Sequence, residues 1–222
     1  MNNLIEHISE CVENGKVNLS SPYPPQMKGQ PGADELTRQA LDDGVSPDDI
    51  LNMALVPAMN RVGQRYTENK IFVPQMLLSA KAMSASMTHL KPFFQSGELQ
   101  RKGVFIIGTV FGDLHDIGKN LCCMMVEGAG WEVVDLGVDV KPEQFLTALN
   151  THPKAIVGLS ALLTTTMVNM GTIINAILKK YPDTKIIVGG APVNSDFAQS
   201  VGANSYCKDP QGLIVWLNEI AA

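Results

Sequence analysis

The sequence predicts an α/β fold, a doubly wound parallel sheet preceded by an N-terminal helical bundle, and a change of pattern midway along its 222 residues is what predicts it. Residues 34 to 95 repeat apolar side chains at intervals of three and four, the period of amphipathic helices. From Gly103 short β-branched runs alternate with helical ones, the order that builds a parallel sheet wrapped on both faces. Those runs are apolar throughout rather than alternating, which suits strands buried on both sides.

In the first half, Leu51, Leu55, Met59 and Val62, then Met76, Leu77, Ala80, Met83, Met87 and Leu90, mark the buried stripes of three or four short packed helices. Ser46-Pro47-Asp48 has the form of an N-cap with proline at the first helical position, and Val73-Pro74 opens another helix in the same way. Residues 19–32, LSSPYPPQMKGQPG, are too rich in proline and glycine for the interior of a helix or strand; they read as a surface loop or an ordered crossover. Lys91 to Lys102, KPFFQSGELQRK, reads as the linker and hinge between two domains, 1–95 and 96–222. In the second half the strands are VFIIGTV, WEVVDLG, AIVGLS and KIIVGG, with helices over 117–129, 142–151, 168–181 and 210–221.

Composition excludes several functions. A net charge of −5 without a concentrated basic patch argues against nucleic acid as a partner. The start MNNLIEHISE lacks the basic and apolar segments of a secretion signal, and no apolar run is long enough to span a bilayer, so the expected location is cytoplasmic, with no membrane partner. Cys11, Cys122, Cys123 and Cys207 follow no zinc spacing and read as reduced core thiols. No nucleophile elbow, phosphate-binding glycine loop or metal cluster is present in the sequence.

The chemistry concentrates after the first strand. In a parallel α/β sheet ligands bind beyond the carboxyl ends of the strands, and there the chain reads Asp113-Leu114-His115-Asp116-Ile117-Gly118. An Asp two residues before a His can accept the proton of one imidazole nitrogen while the other faces a metal, which fixes the tautomer. Gly118 lets a bulky group come close. The third strand ends in Ser160-Ala161-Leu162, followed by Thr164, Thr165 and Thr166, and the fourth in Gly189-Gly190, a wall without side chains.

Three such motifs at successive strand ends resemble the signature of B12-binding domains, Asp-x-His-x-x-Gly, Ser-x-Leu and Gly-Gly, in a Rossmann-like or flavodoxin-like sheet. The helical half resembles the cap of methyl-carrying corrinoid proteins such as those of methanogens and acetogens and the B12-binding module of cobalamin-dependent methionine synthase. The resemblance runs from about residue 34 onward; the Pro-rich stretch at 19–32 departs from it. It implies cobalamin or a related corrinoid bound base-off and His-on, with the cofactor's own base detached as a tail and His115 as lower cobalt ligand. Asp113 would hold the far nitrogen of His115 and Thr166 would complete the relay, so that protons entering it loosen the metal bond. Leu114, Asp116, Ile117, Gly118 and Thr164 would also bind the cofactor, Ser160 and Leu162 would meet the tail, and Gly189 and Gly190 would leave its channel open. Tyr206, with Asp209, matches a weaker element near the nucleotide end. Phe72 and Met76 align with the best-marked cap segment, although a Met stripe at helical spacing is equally a core feature.

The function so implied is that of a carrier, not catalytic on its own, which shuttles a methyl group on cobalt between a substrate-specific corrinoid methyltransferase and an acceptor methyltransferase, with a reductive activation protein as third partner. The B12 subunit of a carbon-skeleton mutase would lack this cap, a B12-dependent sensor would need an output module, and a plain flavodoxin-like module would not need all three motifs.

Overall fold

A computed structural model describes residues 2–221. The chain divides into two compact units, Met1–Arg101 with Gly128–Gly130, and Lys102–Glu127 with Trp131–Ala222. Each is taken by itself.

The first unit is all-helical. Helix α1 (Asn2–Asn14) packs against α2 (Ala33–Asp42), α4 (Val56–Thr67) and α5 (Val73–Ser96), and a single turn, α3 (Pro47–Asp49), precedes α4. Ser46 caps α3 by accepting from the Asp49 N–H at 3.0 Å, as the Ser-Pro pattern predicts. Between α3 and α4 the backbone widens into a π-helical segment, Ile50–Leu55, in which the Val56 N–H reaches back to the Leu51 carbonyl. Pro57 accounts for this: its ring has no N–H and crowds the carbonyl four residues earlier, and the wider turn relieves the conflict. Of the positions the periodicity selects, Leu51, Leu55, Met59, Val62, Met76, Ala80, Met83 and Leu90 are buried, while Leu77 and Met87 are half-buried.

Two connections differ from the sequence expectation or resolve it. Residues 19–32 form an ordered crossover: the fully buried Lys16 donates from Nζ to the Ser21 carbonyl at 2.9 Å, Pro25–Met27 make a 3-10 turn, and Glu35 accepts from the N–H groups of Leu19 and Gly32. The supposed linker at 91–102 is half helix. Helix α5 continues through Pro92 to Ser96 and stops at Gly97, whose φ of +81° lies in the left-handed region that glycine adopts without strain. One proline removes a single hydrogen bond from a helix of 24 residues, and buried Leu90 and Leu99 hold the chain on either side of the stop.

The second unit is a five-stranded, wholly parallel sheet in the order β2-β1-β3-β4-β5, with β1 (Val104–Thr109), β2 (Glu132–Asp135), β3 (Ile156–Ser160), β4 (Ile186–Gly189) and β5 (Ser205–Cys207). The helices are α6 (Ile117–Gly128), α7 (Pro142–Thr151), α8 (Thr164–Met167), α9 (Asn169–Lys180), α10 (Ser195–Ser200) and α11 (Pro210–Ala221). Right-handed crossovers place α6 on one face and α7 on the other, because the chain first steps from β1 to β2 and then back across β1 to β3. The strands supply both faces: Ile106, Val157, Leu159, Ile186 and Val188 join Phe145, Leu149, Ile173 and Ile177 in one cluster, while Phe105, Ile107 and Ile187 point the other way. The Phe105 ring lies against Gly158, where a Cβ would come within 2.4 Å of it. Two short helices and β5 go beyond the sequence reading, since SYC is too brief to carry a strand pattern.

The reversal of strand order falls between β1 and β3, which opens a crevice at their carboxyl ends. Gly190, with φ +127°, closes one side of the loop after β3, for a Cβ there would lie 1.9 Å from the Ala161 carbonyl oxygen. Gly190→Ala is therefore expected to cost about 3 kcal/mol in urea unfolding. Gly118→Ala, where the space around a Cβ is open, is expected to stay within about 0.5 kcal/mol of the parent; equal stabilities for the two variants would refute this account of Gly190.

Candidate functional site at the switch point

Strand β1 delivers the loop 110–116 to the crevice, and a tight turn sets its path. The Asp113 N–H donates to the Val110 carbonyl at 3.1 Å and Gly112 takes φ +82°, so the chain doubles back and Asp113 points inward. The Gly112 N–H meets Asp139 Oδ1 at 2.6 Å, and Asn169 on α9 donates to the Phe111 carbonyl at 2.7 Å. The hydroxyl of Thr109, itself fully buried, donates to the His115 carbonyl at 2.9 Å.

Asp113 is the hub. Its side chain is 0% exposed, and its two oxygens divide the work. Oδ1 accepts from His115 Nδ1 at 2.8 Å and from the His115 N–H at 3.1 Å. Oδ2 accepts from the Thr166 hydroxyl at 2.6 Å and from the N–H groups of Leu162 and Leu163 at 2.8 and 3.3 Å. The carboxylate thus ties the loop after β1 to the loop after β3. Burial, the largest single influence, pushes its pKa up, but the Thr166 hydroxyl, the Leu162 N–H and the two His115 donors together hold the carboxyl well below the usual carboxylate range.

With Nδ1 donating to a carboxylate, the His115 lone pair is on Nε2, and the side chain is 51% exposed. Around it lie side chains that a water-facing loop does not ordinarily present: Leu114 is 72% and Ile117 70% exposed, with Leu162 and Leu163 also open to solvent. Gly118 has nothing within 4 Å of its Cβ position. A nitrogen ligand held by a buried acid, beside an apolar platform and an open glycine, fits a flat, largely apolar macrocycle bearing a metal.

The predicted residues fall into two groups. Asp113, Leu114, His115, Asp116 and Leu162 lie on the two loops that Asp113 joins, and Ile117, Gly118 and Thr166 in the first turns of the helices that follow them; Ser160 ends β3, and Thr164 is exposed at the start of α8. Gly189 and Tyr206 lie further along the sheet, on β4 and β5, with Tyr206 packed against the apolar cluster and a Gly189 Cβ position 3.1 Å from Cys207 Sγ. Gly190 has the backbone reason given above. In the helical unit Phe72 is 64% exposed, whereas Met76 is fully buried and occupies a core position. Phe72 therefore has surface to offer a ligand, and Met76 does not.

Sequence reasoning placed Lys119 and Asn120 in the polar stretch after β1 without giving them a role, and it passed over Thr109, Asp135 and Asp139, polar residues at the strand ends that carry no motif spacing. The cysteines are free: burial pushes the Cys11 thiol up to about 11 and those of Cys123 and Cys207 up to about 12, which keeps them protonated and unreactive. Of the four, Cys11 alone is fully buried; the other three are half-buried rather than core. No described helix is long and apolar enough to cross a membrane.

Comparison with known proteins gives the family. Residues 103–209 match the B12 binding domain, and residues 30–91 match a second B12 binding domain. A corrinoid protein of Desulfitobacterium hafniense is 34% identical over 191 residues, 84% of this chain and 88% of the relative. Trimethylamine corrinoid protein 1 of Methanosarcina mazei is 36% identical over 178 residues, 78% of this chain and 82% of the relative. The chain is a member of the B12-binding corrinoid protein family. Among solved structures, the methanol:cobalamin methyltransferase complex MtaBC of Methanosarcina barkeri superposes with TM-score 0.82 and 28% identity over 99% of this chain and 80% of that one. A cobalamin-binding protein of Desulfitobacterium hafniense gives 0.73 and 26%, covering 98% and 97%.

The lowered pKa of Asp113 has a sign that can be checked. A carboxylate with a lowered folded-state pKa contributes stability that is fully present above its unfolded value of about 3.9 and is lost as pH falls toward the folded value. Asp113→Asn is expected to lower stability by about 3 kcal/mol at neutral pH, and the gap to wild type is expected to narrow below about pH 4. A gap that stays constant down to about pH 3 in urea titrations would contradict the lowered pKa.

Proposed function

We propose that this protein is a corrinoid-bound methyl carrier, with His115 Nε2 as the lower ligand of cobalt in a base-off, His-on arrangement. The observation that carries the proposal is the half-exposed imidazole whose Nδ1 is fixed by buried Asp113 beside an exposed apolar platform. When bound, a corrinoid supplies a cobalt centre that accepts and gives up a methyl group. The chain's residues supply everything else.

Asp113 orients His115 and, by accepting from Nδ1, raises the basicity of Nε2. Thr166 and the N–H groups of Leu162 and Leu163 hold that carboxylate in place, so the ligand keeps its direction whether or not the metal draws on it. A proton reaching Asp113 would cancel one of these contacts and weaken the hold on His115. Leu114, Ile117 and Leu162 cover apolar ligand surface and exclude water from below it. Ser160, Thr164, Gly189, Gly190 and Tyr206 would accept the detached tail further along the strand ends.

The carrier role is supported by what this chain resembles. Relatives named for trimethylamine, dimethylamine and monomethylamine are 36%, 33% and 37% identical to this chain, and a similar chain is found in a methanol:cobalamin methyltransferase complex. We assign the choice of substrate to such a partner enzyme, with a second methyltransferase as acceptor and a reductive activator restoring the metal. We assign cofactor binding to residues 96–222 and the role of a cap to the helical residues 1–95.

The test is a visible spectrum after mixing with hydroxocobalamin and desalting. Wild type is expected to retain the corrin with a His-on spectrum, and His115→Ala to give a base-off spectrum with at least about tenfold weaker retention. A folded wild type that retains no corrin would overturn the proposal.

A further inference from the structure

We infer that Lys119, Asn120 and Asp135 form a second positioning set for His115, acting from the downstream side of its loop and independent of the Asp113–Thr166 contact. The inference rests on the reading of His115 as metal ligand and adds residues to it.

Lys119, in the first turn of α6, is only 2% exposed. A lysine is rarely buried without partners, and this one has two. Its ammonium donates to Asp135 Oδ2, at the end of β2, and to Asn120 Oδ1 at 2.6 Å. The cation thereby fixes the orientation of the Asn120 amide, oxygen toward the lysine, and the amide Nδ2 then faces Asp116 Oδ2 at 2.9 Å. The Asn120 N–H also donates to the Asp116 carbonyl at 2.7 Å. The residue that follows His115 is gripped through both side chain and main chain.

The contacts close on themselves. Asp135 Oδ1 accepts from the Gly137 N–H at 2.8 Å, the Gly137 carbonyl accepts from the Thr109 N–H at 3.0 Å, and the Thr109 hydroxyl holds the His115 carbonyl. The circuit runs from β1 through the β2 end and the start of α6 back to His115. Asp113 fixes the imidazole ring; this circuit fixes the backbone that carries it. Its weakest link is Asn120, a neutral amide between a cation and a carboxylate, which no other described contact replaces. Lys119 and Asn120 are positioning residues here, since neither reaches the ligand nitrogen.

Asn120→Leu breaks the circuit while leaving the Lys119–Asp135 pair intact. The double variant Lys119→Met/Asp135→Leu removes the buried charges together, so that neither is left unpaired. Both are loaded with hydroxocobalamin beside wild type and His115→Ala. The expected result is a Tm within a few degrees of wild type, a His-on to base-off ratio shifted toward base-off, and retention weakened by about tenfold. A purely structural role would lower Tm and leave the spectrum alone. Wild-type spectra and retention in Asn120→Leu overturn the inference even if the double variant fails to fold. A wild type that binds no corrin overturns instead the reading of His115 on which it rests.

Discussion

Everything at the switch point depends on one buried carboxylate. Asp113 has no access to water and no lysine or arginine beside it, so its charge is stable there only because five donors converge on it: the Thr166 hydroxyl, the Leu162 and Leu163 amides, and the His115 side chain and amide. Those donors come from two loops that follow neighbouring strands. The condition for a stable charge is therefore also the condition for joining the loops and for aiming an imidazole outward. An acid that served catalysis directly would need some exposure; this one has none, and its influence passes through the histidine.

The parallel sheet is what makes the convergence possible. β1 and β3 are hydrogen-bonded neighbours, with Thr109 opposite Ser160, so the chain leaving each strand begins its loop at the same level. Helices α6 and α8 then start from those loops, and their first residues, Ile117, Gly118 and Thr166, are brought to the site by the strands rather than by their own packing. The apolar core beneath is continuous from Ile106 and Val157 to Ile173 and Ile177, which makes the loops the outer edge of a rigid body. Leu114 and Ile117 are the most exposed large apolar side chains among the described residues, and with Leu162 and Leu163 beside them they mark where a further apolar surface belongs.

Much of this was legible in the residues. The strands Val104–Thr109 and Ile156–Ser160 are continuous β-branched runs, and α7 begins at Pro142 and ends at Thr151 where the pattern places it, because the local signal and the tertiary context agree. The Asp-x-His pair was readable because a spacing of two residues on a strand-end loop brings the carboxylate within reach of the imidazole, whereas Thr166, 53 residues further on, was indicated only by the family resemblance. Other features were not. The helix through Pro92 was hidden because a proline is a local break signal, whereas Leu90 and Leu99 hold the helix through packing. Lys119 has no spacing signature; its burial and its pairing with Asp135, sixteen residues away, exist only once α6 lies on β2. Gly190 was readable as important, but the reason, its approach to the Ala161 carbonyl, is a contact between distant segments.

The central claim is that His115 presents Nε2 to cobalt, and electron paramagnetic resonance of the corrinoid-loaded protein with the metal reduced to its paramagnetic state tests it most directly. Protein grown with nitrogen-15 histidine is predicted to change the multiplicity of the axial nitrogen splitting, and His115→Ala is predicted to abolish that change. A splitting untouched by histidine labelling would mean that the cofactor keeps its own base on the metal, and it would contradict the account.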